Sequence, residues 1–78
     1  MLGDQLRKAR VAAGLTQEEL AFRSKLSRNY ISLLELDEKS PTYDTLTRIC
    51  QALGVRVSAV AAKVERAMER QHKRIPGR

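Results

Sequence analysis

A chain of 78 residues, 42% apolar and with three aromatics (Phe22, Tyr30 and Tyr43), makes one small domain without room for a deep catalytic cavity. Its apolar runs are short and its first ten residues are polar and charged, which excludes a bilayer span and a secretory signal and makes the cytoplasm the expected location. The net charge of +6 points to an acidic partner. Residues 63–78 hold +4 of it, however, in Lys63, Arg66, Arg70, Lys73, Arg74 and Arg78 against Glu65 and Glu69, and such an end is as compatible with plain solvation as with phosphate binding.

The punctuation of the chain is helical throughout. Leu2, Leu6, Ala9 and Ala13 recur at helical spacing and predict a first helix over 4–13, stopped by Gly14. Thr16 with Glu19 three residues later is a capping box, so a short second helix starts there, turns Leu20, Ala21 and Ser24 inward, and ends near Lys25. Leu26 and Ser27 make a tight turn in which Ser27 caps a third helix, residues 28–36, burying Ile31 and Leu34. Pro41 keeps the preceding residues out of helix and Thr42 caps a fourth, whose apolar stripe is Tyr43, Leu46, Ile49, Cys50 and Leu53, closed by Gly54. Val55-Arg56-Val57 is too short for more than a connector, and Ser58 is the expected cap of a fifth helix reaching Arg70. The predicted fold class is all-α, five helices with no sheet.

Helices two and three, about three residues apart, suit the sharp crossing (~90–120°) of a DNA-binding helix-turn-helix. That geometry needs a small residue at the crossing, Ala21, and a wedge of Leu20, Leu26, Ile31 and Leu34 to hold the angle. The remaining face of helix three, with Arg28, Asn29, Ser32 and Leu33, is then free to enter a major groove.

The ordered set Gly14-Leu15-Thr16-Gln17-Glu18-Glu19-Leu20-Ala21, Ser27, Tyr30-Ile31-Ser32, Leu34-Glu35, Ser40-Pro41 and Ala52-Leu53-Gly54-Val55 resembles the phage-repressor (Cro/Xre-type) helix-turn-helix family over residues 2 to 62. The resemblance implies a lambda-repressor-like five-helix DNA-binding domain, residues 1–62, followed by a helix-five extension and basic tail, residues 63–78. It implies that Gln17 donates to a DNA phosphate, with Ser27, Tyr30 and Lys39 completing the backbone set, Tyr30 being also a packing candidate. Arg28 and Asn29 fall where the family reads base edges. Arg suits guanine and Asn adenine, although Arg28 could take a phosphate instead. Ser32 and Leu33 extend that face, and Leu33 either touches a thymine methyl or marks a weakly read step. Arg10 and Glu35 match positions that form a buried ion pair in some relatives. Lys25 and Asp37 stand where many relatives place Gly.

Val57, Val60, Val64 and Ala67 recur at helical spacing; as far as Val60 they could be ordinary core, but the stripe outlasts the expected domain, which predicts a homodimer interface on helix five. The expected partners are therefore a double-stranded DNA operator and a second copy, with no membrane and no small-molecule ligand evident. One Cys and one His assemble neither a disulfide nor a zinc site, so Cys50 reads as core, His72 as exposed, and no metal or cofactor is expected. No nucleophile–base constellation suggests an enzyme. The expected function is a sequence-specific transcriptional regulator of the stand-alone kind, such as a phage repressor or a restriction–modification controller. The alternative is an antitoxin-like module whose main partner is another protein.

Overall fold

The computed structural model describes residues 1–73, with side chains as far as Arg70. The expectation that His72 is exposed, and the basic tail beyond Arg70, lie outside the described side chains. Among the described residues there are five helices and no strand: α1 (Leu2–Ala12), α2 (Gln17–Ser24), α3 (Arg28–Glu35), α4 (Tyr43–Leu53) and α5 (Val57–Lys73). None is long and apolar enough to cross a membrane.

Local capping explains most boundaries. Thr16 Oγ1 accepts from the Glu19 amide at 3.0 Å while Glu19 Oε1 accepts from the Thr16 amide at 2.8 Å, so two amides that open a helix without partners are satisfied together. That amide bond, followed by the Thr16 side-chain bond, holds the Glu19 carboxyl below its usual range. Ser27 Oγ accepts from the Tyr30 amide at 3.0 Å and Thr42 Oγ1 from the Thr45 amide at 3.2 Å. At the other ends, Lys25 (φ 60) and Gly54 (φ 73) adopt left-handed geometry and close α2 and α4. Asp37, after α3, is left-handed too, at φ 58. Asp takes that conformation readily, whereas Lys25 holds it at a cost on the order of 1 kcal/mol.

Three boundaries or faces differ from the sequence reading. Helix α1 begins at Leu2, because the Gly3 amide donates to Asp37 Oδ1 at 2.9 Å and is thereby capped from 34 residues away. Helix α5 begins at Val57, with the Arg56 carbonyl accepting from the Val60 amide at 3.2 Å, so Ser58 lies inside the first turn. Tyr43 is the first residue of α4 and is 72% exposed, outside the apolar stripe assigned to it, because the first turn of α4 overhangs the core.

The core is one cluster: Leu6, Leu15, Leu20, Ala21, Ile31, Leu34, Ile49, Cys50, Leu53 and Val60. Each fully buried Leu or Ile contributes about 1.5–3 kcal/mol relative to exposure. Helix α2 packs on α3 and α4, and α1 on α3 and α5, so the α2–α3 pair is supported from both sides. At Gly3 the backbones of α1 and α3 nearly touch. A β-carbon there would lie 2.4 Å from the Leu34 carbonyl oxygen and 2.5 Å from that of Glu35, so only glycine fits.

Candidate nucleic-acid interface

The α2–α3 pair is locked by a polar network beneath its exposed face. Arg10 on α1 donates through Nε to Glu35 Oε2 at 2.7 Å and through Nη2 to Glu35 Oε1 at 3.1 Å. Its third donor, Nη1, reaches the Leu15 carbonyl at 2.8 Å, in the loop that leads into α2. The Arg10 and Glu35 side chains are 13% and 4% exposed, so both charges are largely desolvated and held by forked geometry. Gln17, the first residue of α2, joins the network by donating from Nε2 to Glu35 Oε1 at 3.0 Å. One arginine thus connects α1, the α2 approach and α3, and Glu35 fixes the side chain at the start of α2.

A Gln side-chain amide has two N–H donors. The bond to Glu35 uses one, and the other remains for an acceptor arriving from outside. The backbone amides of Gln17 and Glu18 open the helix beyond the capping box, at the positive end of its dipole. Glu18 and Glu19 share this turn, so what it offers an anion is directed N–H groups rather than net positive charge.

Helix α3 presents Arg28 and Asn29 exposed in its first turn, while Ser32 and Leu33 are half-buried on the next. Ser27 is exposed. Its oxygen accepts the capping bond, which leaves the hydroxyl hydrogen available to a phosphate. Tyr30 is half-buried and packs against the core, and Lys39 is exposed in the bend after α3. Arg28, Asn29, Ser27 and Lys39 therefore reach solvent on or beside α3, whereas Gln17 is tied to the last residue of that helix, Glu35.

The stripe on α5 divides. Val60, expected at a dimer interface, is 4% exposed and belongs to the protein's own core. Val57, Val64 and Ala67 are half-buried, the two valines packing against that core, and Met68 beside them is exposed. Cys50 is buried, and burial pushes its thiol up from the ordinary range, as for a cysteine that serves as core. No group of three or more His, Cys, Asp or Glu side chains able to hold a metal ion occurs among the described residues.

Sequence reasoning missed Gly3 and Asp37, because their roles depend on α1 meeting the end of α3. It also missed the link from Gln17 to Glu35. Its only trace was that both residues belong to the resemblance already drawn.

Two short helices, a tight turn, a buried brace and an exposed second helix define a helix-turn-helix protein. Residues 6–60 match the family model described as helix-turn-helix, and the chain belongs to that family. It is 34% identical over 70 residues to the immunity repressor protein of Bacillus phage phi105, covering 90% of this chain and 49% of that protein, so the chain spans about half of that relative's length. The crystal structure of the clp gene regulator ClgR from Corynebacterium glutamicum superposes with a TM-score of 0.87 at 36% identity, over 92% of this chain and 77% of that one. The restriction-modification controller protein C.AhdI from Aeromonas hydrophila gives 0.74 at 32% identity, over 76% and 89%.

Proposed function

We propose that this chain is a DNA-binding transcriptional regulator that reads the major groove with α3, as a homodimer on a two-fold operator. The observation that carries the reading is the contrast within the α2–α3 pair. Among the described residues Arg28 and Asn29 make no side-chain bond and stand exposed on the N-terminal turn of α3, while Gln17 is held in place by Glu35 with one N–H to spare. The first pair suits base edges, where Arg matches guanine O6/N7 and Asn matches adenine N6/N7. The second suits a backbone phosphate, which positions but does not specify. Ser27 and Lys39 add phosphate contacts on either side of α3, and Leu33, half-buried, offers a thymine methyl an apolar edge. The regulator and repressor names of the relatives support the same function, and the controller and ClgR structures support the fold that delivers it.

The homodimer rests on the apolar part of α5 that the core leaves partly open: Val57, Val64 and Ala67. A two-fold axis there sets the recognition helices about 34 Å apart, one turn of DNA. Residues 71–78 add a basic end that attracts phosphate without sequence preference. Selection of bound sequences from random duplex DNA tests the function. A two-fold motif with half-sites one helical turn apart is the expected result. Failure to enrich any sequence, together with co-purification of an unrelated protein, would replace DNA reading by the protein-partner alternative.

A further inference from the structure

The surface around α3 uses none of the cations at the C-terminal end of α2. There, Arg23, Ser24 and Lys25 face Arg48, Gln51 and Ala52 of α4 across a cleft of about 360 Å³. Residues 48, 51 and 52 are three and four apart, so they share one face of α4. Arg23, Lys25, Arg48 and Gln51 are all exposed. Among the described residues, none of the ion pairs formed involves Arg23, Lys25 or Arg48. Glu19, one turn back from Arg23, bonds the Thr16 amide at 2.8 Å and is also acted on by the Arg23 charge, but it does not line the cleft. Three cations therefore line one cleft whose lining contains no carboxylate, an arrangement that suits an anion.

Two further observations sharpen this. The floor is already satisfied, since the buried Ser24 hydroxyl donates to the Leu20 carbonyl at 2.7 Å, so recognition falls to the four exposed side chains. Lys25 holds its charge at the rim from a left-handed backbone, φ 60, where glycine would sit without strain. An outlier of this kind is a reason to ask what the side chain does there.

We propose that this cleft binds a small phosphate-bearing anion, between pyrophosphate and a nucleotide in size. Two guanidinium groups offer forked donors to phosphate oxygens, Lys25 adds a point charge, and the Gln51 amide can reach a neutral part of the ligand. The volume lies at the low end of the roughly 300–1,000 Å³ of small-molecule sites. The site is separate from the base-reading surface. Neither Gln17, Arg28 nor Asn29 lines it, and Gln17 and Arg23 are about 9 Å apart along the axis of α2. The inference does not depend on DNA reading by α3.

The test is a titration of the full chain with inorganic pyrophosphate, followed by ¹H–¹⁵N spectra at constant ionic strength set with chloride. Saturable shifts confined to the amides of residues 22–26 and 47–52 are expected. Arg23→Gln and Arg48→Gln, both surface changes, should each weaken half-saturation about tenfold, the loss of one charged hydrogen bond, without altering the helical signal. Shifts that grow linearly, or that spread equally to Arg7, Lys8 and Lys63, would reduce the effect to ordinary screening and overturn the proposal. In a second arm, a short duplex of arbitrary sequence is added. Retention of pyrophosphate supports the small-anion site. Displacement, with the same cleft amides shifted by the duplex, would show that the phosphate recognised is that of the DNA backbone, and the small-anion assignment would fall.

Discussion

Gln17 Nε2 donates to Glu35 Oε1 at 3.0 Å, so the side chain at the start of α2 is anchored to the last residue of α3. The same carboxylate receives two bonds from Arg10, so Glu35 accepts from α1 and α2 and ties both to its own helix, α3. The start of α2 and the end of α3 are thereby set relative to one another within the free protein.

Removing one partner of this network should cost far more than removing both charges. Glu35→Ala leaves Arg10 desolvated and unpaired, and an expected loss of about 3–5 kcal/mol follows for a buried pair broken on one side. Arg10→Met combined with Glu35→Leu removes both charges with apolar replacements, and should recover at least half of that loss. Urea unfolding of the two variants checks this. Equal destabilisation by the single and the double change would mean that the pair adds net stability through its charges.

Gly3 is the tightest contact between α1 and α3. Because the atoms that a β-carbon would strike are backbone carbonyl oxygens, no side chain can swing aside. Gly3→Ala is expected to destabilise by about 1–3 kcal/mol, the usual cost of overpacking, despite the better helix propensity of Ala. A thermal melt with unchanged or raised midpoint would contradict the packing described.

These two relationships also show where the sequence was silent. Caps such as Thr16–Glu19, Ser27 and Thr42 were readable because donor and acceptor lie three residues apart, and the inward Leu20, Ile31, Leu34 and Ile49 were readable from helical spacing. The Asp37 cap on Gly3 spans 34 residues and the Gln17–Glu35 bond spans 18, so neither leaves a local pattern. Periodicity also overreached. It placed Tyr43 on the apolar face of α4, and it left Val60 open between core and dimer interface, because which part of a stripe a neighbouring helix covers depends on the packing of α1, α4 and α5. The proposed reading surface rests on residue type, at Arg28 and Asn29, and the brace beneath it was legible in resemblance alone.

The division of the α5 stripe separates two substitutions. Val64→Asp places a charge on the half-buried part, and should shift the protein from dimer to monomer at micromolar concentration in sedimentation while the helical signal persists. Val60→Ala empties part of the core instead, and should cost about 1–3 kcal/mol of stability in each chain with little change in assembly. A wild-type monomer at micromolar concentration, with and without DNA, would remove the dimer from the account.

The most direct test compares Arg28→Ala, Asn29→Ala and Gln17→Ala on a selected operator and on its single-base variants, at one fixed salt concentration. If α3 reads bases, Arg28→Ala and Asn29→Ala each lose about 1–3 kcal/mol on the preferred site and relax selectivity at one base step in each half-site. Gln17→Ala should weaken binding to every duplex by a similar factor, as loss of a phosphate contact does. Even losses across all variants for Arg28→Ala and Asn29→Ala, or no loss at all, would contradict the assignment of α3 as the reading helix.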